Sequence, residues 1–172
     1  MKKLSRGTLI VLAILIAMYL GFKMYTKSFS PSSTANYSSD NLTVRVSYSR
    51  PAVKNRLIFG GLVPYEKVWR TGANEATLIT FDNDVTFAGE KLKAGTYSLW
   101  TIPGTDTWQV IINDQTGQWG TNYDETQDVF RASVNAYEIP EKTELFTISF
   151  TDTEDLHMLL TWDKTQVDIP IQ

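Results

Sequence analysis

A chain of 172 residues with 19 acidic and 16 basic side chains, one histidine and no cysteine has the length for one domain with a substantial core once an apolar N-terminal run is set aside. The lack of cysteine excludes a disulfide framework, a thiolate metal site, a cysteine nucleophile and the lipidated cysteine of a bacterial lipoprotein. The acidic balance argues against nucleic acid as a partner.

The chain opens on Met-Lys-Lys-Leu-Ser-Arg, followed by the uncharged run GTLIVLAILIAMYLGF at residues 7–22. Sixteen residues at about 1.5 Å each reach about 24 Å, short of the roughly 30 Å of a bilayer's hydrocarbon core unless Arg6, Lys23 and Lys27 snorkel. The run is apolar on all sides, unlike the single stripe of a core-facing helix. Bulky Tyr19, Leu20, Phe22, Met24 and Tyr25 stand where a signal peptidase wants small residues. Residues 1–27 therefore read as an uncleaved signal anchor, with secretion after cleavage as the alternative. Lys2, Lys3 and Arg6 outweigh Lys23 and Lys27, which predicts a single-pass protein in the cell membrane with its bulk extracytoplasmic, that is periplasmic. Residues 28–41, KSFSPSSTANYSSDN from Lys27 onward, are polar and serine-rich and read as a flexible tether, which leaves residues 42–172 as the folded domain.

Period-two alternation begins with LTVRVSY at residues 42–48, where Leu42, Val44, Val46 and Tyr48 share a face. After an irregular stretch come ATLITF at 76–81 and VTF at 85–87, separated by the turn residues Asp82, Asn83 and Asp84. TYSLWTI at 96–102, Pro103-Gly104-Thr105-Asp106 and WQVII at 108–112 form a strong hairpin signal. A long loop from 113 to about 127 precedes a strand at 129–136. Strands at 145–151 and 156–162 and a closing QVDIPI complete the pattern, with Pro170 permissible only at an edge or a strand end. Eight or nine short strands without a further amphipathic helix predict an all-β, antiparallel two-sheet sandwich of jelly-roll or immunoglobulin-like type. Its expected core includes Leu99, Val110, Ile112, Phe146, Ile148, Phe150, Leu160 and Trp162. Tyr97, just after the Ala94-Gly95 turn, is expected to bury its ring and bond a nearby backbone group through its hydroxyl.

The irregular stretch is RPAVKNRLIFGGLVPYEKVWRTGANEAT, residues 50–77, where Pro51, Pro64 and the Gly60-Gly61 pair forbid a long regular element. Nineteen acids face the eleven bases that remain once Lys2, Lys3, Arg6, Lys23 and Lys27 are set aside, a balance of minus eight. Yet Arg45, Arg50, Lys54, Arg56, Lys67 and Arg70 are accompanied by Glu66 alone in their stretch. Such a cluster is either a solvated cationic face or a patch that binds anions through bidentate arginine contacts.

Three pieces in this order, WRTGANEAT, AGTYSL and QWG, within a match over roughly residues 42–170, resemble domain-of-unknown-function family 2911, mostly exported proteins of gram-negative bacteria. The resemblance implies a β-sandwich in the cell envelope and brings no established activity. Two positions depart from the family pattern, in which glycine is usual at Asn55 and common at Glu66. Asn55 is expected to keep the turn, because asparagine tolerates positive φ, and Glu66 to make a different one.

On chemistry alone, Trp69, Arg70, Gly72, Asn74 and Glu75 supply an aromatic platform, a forked donor, a close backbone approach and an amide beside a carboxylate, which suits a polar ligand such as a glycan, a peptide or an anionic small molecule. The competing reading is a structural corner in which Arg70 pairs with Glu75. The ligand-binding set is Arg50, Lys54, Arg56, Trp69, Arg70, Asn74, Glu75 and Trp119, the last as an opposite wall carried by the long loop. No metal and no cofactor is expected, and His157 reads as an ordinary strand residue. Among enzymes the composition leaves a carboxylate-dependent glycan hydrolase that uses Glu75 with Asp114 or Asp124, and among non-enzymes a purely structural envelope domain.

Overall fold

The computed structural model describes residues 5–172, and the side chains of residues 22–24 and 26 are outside the description. The expected roles of Lys2, Lys3 and Lys23 in orientation and snorkelling thus lie outside the described residues. Helix α1 (Arg6–Ser28) forms from a run free of proline and rich in leucine and alanine. Ser5 caps it, its hydroxyl accepting from the Thr8 N–H at 3.2 Å. Pro31, three residues past the helix end, prevents its continuation. Large apolar side chains from Leu9 to Leu20 are exposed around the whole circumference. Among the described residues no helix is long and apolar enough to cross a membrane. The expected single-pass span is therefore not seen, in keeping with the roughly 24 Å reach of residues 7–22.

The expected tether is a strand for much of its length. β1 (Ser32–Ser38) pairs antiparallel with β2 (Thr43–Ser49) along its full length, from Ser32 opposite Ser49 to Ser38 opposite Thr43. Ala35 and Tyr37 pack against the core while the flanking positions face outward. A serine-rich strand suits a sheet edge, where exposed apolar residues would invite aggregation. The folded unit therefore starts about ten residues before Leu42.

Nine antiparallel strands form one continuous sheet in the order β1-β2-β3-β6-β7-β8-β9-β4-β5, where two separate sheets were expected. The remaining strands are β3 (Thr77–Phe81), β4 (Val85–Phe87), β5 (Glu90–Leu92), β6 (Gly95–Ile102), β7 (Thr107–Asn113), β8 (Asp128–Thr151) and β9 (Leu156–Ile171). The four short strands anticipated after residue 128 are two long ones. β8 pairs with β7 through its first third and with β9 through the rest, with register breaks between Glu138 and Thr147. Pro140 lies in that break, and Asp163, which faces Thr143 within it, is left-handed at φ 53, a backbone irregularity of the kind that marks a bulge.

Strands on either side of that break, the two wings of the sheet, contribute to one core. Val44, Val46, Ile79, Phe81, Leu99, Val110 and Ile112 from β2, β3, β6 and β7 cluster with Phe146, Ile148, Met158, Leu160, Trp162, Val167 and Ile169 from β8 and β9. The Tyr48 hydroxyl joins the two wings, accepting from the Ile148 N–H at 3.0 Å. Of the expected core residues only Phe150 is less than fully buried; it sits at the margin, 6.0 Å from the Tyr37 ring centroid. Tyr97 is buried and donates to the Lys93 carbonyl at 3.1 Å, as expected.

Candidate functional site

Residues 50–76 carry isolated bridges in place of a strand: Ala52 to Leu145, Phe59 to Val63, Trp69 to Thr101 and Glu75 to Trp119. Five non-glycine residues of the stretch are left-handed: Lys54, Asn55, Glu66, Thr71 and Asn74. Backbone in this region is costly for side chains other than asparagine, and such strain gathers at functional sites. Asn55 keeps its turn at φ 56. Glu66, at φ 58, takes the conformation a glycine would take and not a different turn. Its N–H donates to the Pro103 carbonyl at 2.9 Å, which ties this turn to the loop between β6 and β7.

The stretch folds around a cavity of about 420 Å³ whose walls include Lys54, Arg56, Trp69, Arg70, Asn74 and Trp162. Five of the eight sequence-predicted residues are thus brought together. Lys54 is fixed by its backbone N–H, which donates to Glu144 Oε1 at 2.9 Å, and its ammonium stands 4.9 Å from the Phe29 ring centroid. Arg56 folds back on its own turn, donating from Nε to the Val53 carbonyl at 3.0 Å and from Nη2 to the Ala52 carbonyl. Asn74 ties the N-terminal segment to the turn, with Nδ2 donating to the Ser30 carbonyl at 3.3 Å.

Arg70 is about half-buried, and desolvation pulls its guanidinium below the ordinary value. Its recorded hydrogen bond runs from Nη1 to the Asn74 carbonyl at 3.3 Å, and among the described residues it forms no ion pair. The expected corner in which Arg70 pairs with Glu75 is absent. Glu75 pairs with Lys27 Nζ at 2.8 Å and lies beside Ser32, Ser33 and Ser47 in a separate small concavity.

Trp69 is not an open platform. It is 92 % buried, being 8 % exposed, and stacks 5.8 Å from Trp162 with Phe59, Trp108 and Phe146 edge-on around it. Its indole donates to the Gly72 carbonyl at 3.1 Å. Arg50 also leaves the cavity, donating from Nε to the Phe146 carbonyl at 3.0 Å and from Nη2 to Thr147 Oγ1 at 2.7 Å. Trp119 does not form the opposite wall. Its loop instead braces the site from behind: the Gly120 N–H donates to the Asn74 carbonyl at 3.0 Å and the Ala76 N–H to the Gln118 carbonyl at 3.2 Å.

The residue that sequence reasoning assigned wholly to the core is Trp162. It is buried yet lines the cavity, and its indole N–H has no hydrogen-bond partner. Nothing in the alternation of β9 distinguishes it from its neighbours. Phe29 and Leu62, also on the wall, were equally silent in the sequence.

The carboxylates proposed for hydrolysis do not assemble. Asp124 accepts from the Thr126 N–H at 3.0 Å to cap a 3-10 turn (Glu125–Gln127), and Asp114 borders a different concavity near Tyr97. His157 pairs through Nδ1 with Asp168 on its own strand. Among the described residues no group of three or more acids and histidines could hold a metal.

No curated protein and no solved structure matches the chain. One family description, "Protein of unknown function (DUF2911)", matches residues 30–171, a span that takes in β1 and the cavity together, and the chain belongs to that family.

Proposed function

We propose that the chain is a membrane-held, extracytoplasmic binding module that takes a small anionic ligand, a carboxylate or a phosphate, in the cavity bounded by Lys54, Arg56 and Arg70. The observation that carries this reading is the lining itself: three cationic side chains and no carboxylate, in a folded region whose acids outnumber its bases. A half-buried guanidinium whose neighbours are carbonyls favours an oxyanion, which offers it a charge-assisted pair of bonds. The volume suits a small molecule.

The sheet is read here as a sandwich folded at the β8–β9 corner, on the ground that both wings feed one apolar cluster. Membrane attachment rests on the exposed apolar side chains of α1, and mass spectrometry of the mature chain tests it. An N-terminus between residues 26 and 38 would make the protein a secreted one. A glycan hydrolase has no comparable support, since Glu75, Asp114 and Asp124 stand apart.

The binding test is a titration of the full chain in detergent with inorganic phosphate, citrate and acidic peptidoglycan fragments, read by the fluorescence of Trp69 and Trp162. Saturation that weakens in Arg56→Gln and Arg70→Gln is the expected result. No saturation by any of these anions, with the fold intact, would overturn the reading.

A further inference from the structure

We infer that the anion this cavity takes is the phosphate of an anionic phospholipid, and that the loop at residues 57–68 is the surface on which the domain rests against the bilayer. The inference builds on the anion-site reading above and names the source of the anion.

Beyond α1 the exposed large apolar residues are Phe29, Leu57, Leu62, Tyr65, Val68, Val129 and Tyr137. Four of these seven, Leu57, Leu62, Tyr65 and Val68, fall within residues 57–68. Leu57 is 70 % exposed and Leu62 47 %, two large apolar side chains turned to the surface within one short loop. Leu62 and Phe29 stand on the cavity wall with the cations.

The loop presents these side chains on a built scaffold. The Leu62 N–H donates to the Leu57 carbonyl at 3.0 Å, and the Val63 N–H to the Ile58 carbonyl at 2.9 Å. Ile58 and Val63 are buried and act as its foot. Gly60 is left-handed, and a Cβ there would strike the Tyr65 ring at 2.7 Å, so the absence of a side chain lets Tyr65 lie over the turn. Leu57 and Leu62 are thereby held outward with little ordering left to be done on docking.

Continuity with α1 decides the occupant. The segment just past the helix is fastened to the cavity rim by Asn74 to the Ser30 carbonyl and by Lys54 over Phe29, and Lys27 at the helix end pairs with Glu75 nearby. Phe29, the first residue past α1, shares the cavity wall with Leu62, so the helix leaves the domain from the cavity rim. A lipid surface that receives α1 lies against Leu57 and Leu62 as well. Lys54, Arg56 and Arg70 line the cavity beside the loop and Lys67 belongs to it, in a domain whose acids outnumber its bases. Such a distribution turns this face toward anionic headgroups and the acidic remainder away. An apolar rim that enters the interface around a cation-lined cavity places a lipid phosphate within reach of Arg56 and Arg70.

The chain has no cysteine, so single cysteines introduced as Leu57→Cys, Leu62→Cys and, on the β4–β5 hairpin, Lys91→Cys accept a spin label without background. The full chain is reconstituted in vesicles of phosphatidylcholine alone or mixed with phosphatidylglycerol, and each label's exposure to oxygen and to a polar nickel chelate is compared. The expected result is an oxygen-favouring environment at 57 and 62 in the mixed vesicles, a water-favouring one at 91, and a move of 57 and 62 toward water in Arg56→Gln or in phosphatidylcholine alone. Labels at 57 and 62 that favour oxygen equally in both vesicles and in Arg56→Gln would overturn phosphate recognition. Labels that stay in water while inorganic phosphate still saturates the cavity in detergent would overturn the lipid surface and leave the anion site standing. Water at both labels with no phosphate binding would remove both readings.

Discussion

Arg70 lies flat across Gly120: a Cβ on Gly120 would fall on the Arg70 Cδ and within 2.7 Å of the Asn74 carbonyl. The glycine of QWG is therefore required by the arginine of WRTG, a contact across 50 positions of chain that neither motif reveals alone. Gly120→Ala should force the arginine off its seat at a cost of about 1–3 kcal/mol, the usual range for overpacking. Denaturant unfolding measures the loss. The anion affinity of the variant should fall with it, as Arg70 is one of the three cations on the cavity.

Glu66 occupies a left-handed turn, φ 58, that disfavours an L residue by roughly 1–2 kcal/mol. Glu66→Gly removes that strain but loosens the unfolded chain, so a net stabilisation of about 0.5–1 kcal/mol is expected. A lowered denaturation midpoint would show that the glutamate side chain, close to Gly104, contributes more than the strain takes away.

The pattern of the strands was legible wherever alternation ran unbroken, as at residues 42–48, 76–81 and 96–112. It failed at β1, where Ala35 and Tyr37 are the apolar positions facing the core and a polar edge strand resembles a linker. It failed again at β8, where Glu138, Pro140, Glu141 and Lys142 interrupt the period at the bend between the wings. The cluster of cations was plain in the sequence, but its sorting was not. Arg50 is drawn off to Phe146 and Thr147 by bonds to residues more than 90 positions away, whereas Arg56 bonds within its own turn and stays on the cavity. Trp69 carried the signal of a binding aromatic and is buried because four other rings close around it.

Tyr97→Phe deletes a single hydrogen bond, from the hydroxyl to the Lys93 carbonyl at 3.1 Å, while leaving the ring in place. The expected loss is about 1 kcal/mol, measured by thermal or denaturant unfolding. A change near zero would mean that water replaces the carbonyl's partner without penalty.

Acid should weaken the β4–β5 hairpin, which Asp84 closes from its base. Asp84 accepts from Lys93 Nζ at 2.6 Å and from the Ala94 N–H at 2.9 Å, and these bonds hold its carboxyl below the ordinary value. A lowered carboxylate pKa contributes stability that is present above the ordinary value of about 4 and is lost as pH falls through the folded one. Lys93 is raised by the same pair, so its share is present below the ordinary lysine value and is lost as pH rises through the folded one. NMR titration should find Asp84 below the ordinary carboxylate value, and Asp84→Asn should flatten the acid limb of stability against pH. An unaltered acid limb would place the acid sensitivity elsewhere.

Asn74 combines two needs that paired substitutions can separate. Its backbone is left-handed at φ 62, and its amide donates to the Ser30 carbonyl. Asn74→Gly keeps the backbone and loses the amide, which should cost about 1 kcal/mol. Asn74→Ala loses both and adds an L residue in the left-handed region, which raises the cost to about 2–3 kcal/mol. The order of the two, read from denaturant midpoints, is the first check. The second is ligand affinity. Because the amide is already engaged with the segment that carries Phe29, Asn74→Gly should leave phosphate affinity within a few-fold, while Arg56→Gln, which leaves that segment's bonds intact, should weaken it far more. If Asn74→Gly abolishes binding with the fold preserved, the amide touches the ligand directly, and the cavity reads its anion through a neutral donor as well as through its three cations.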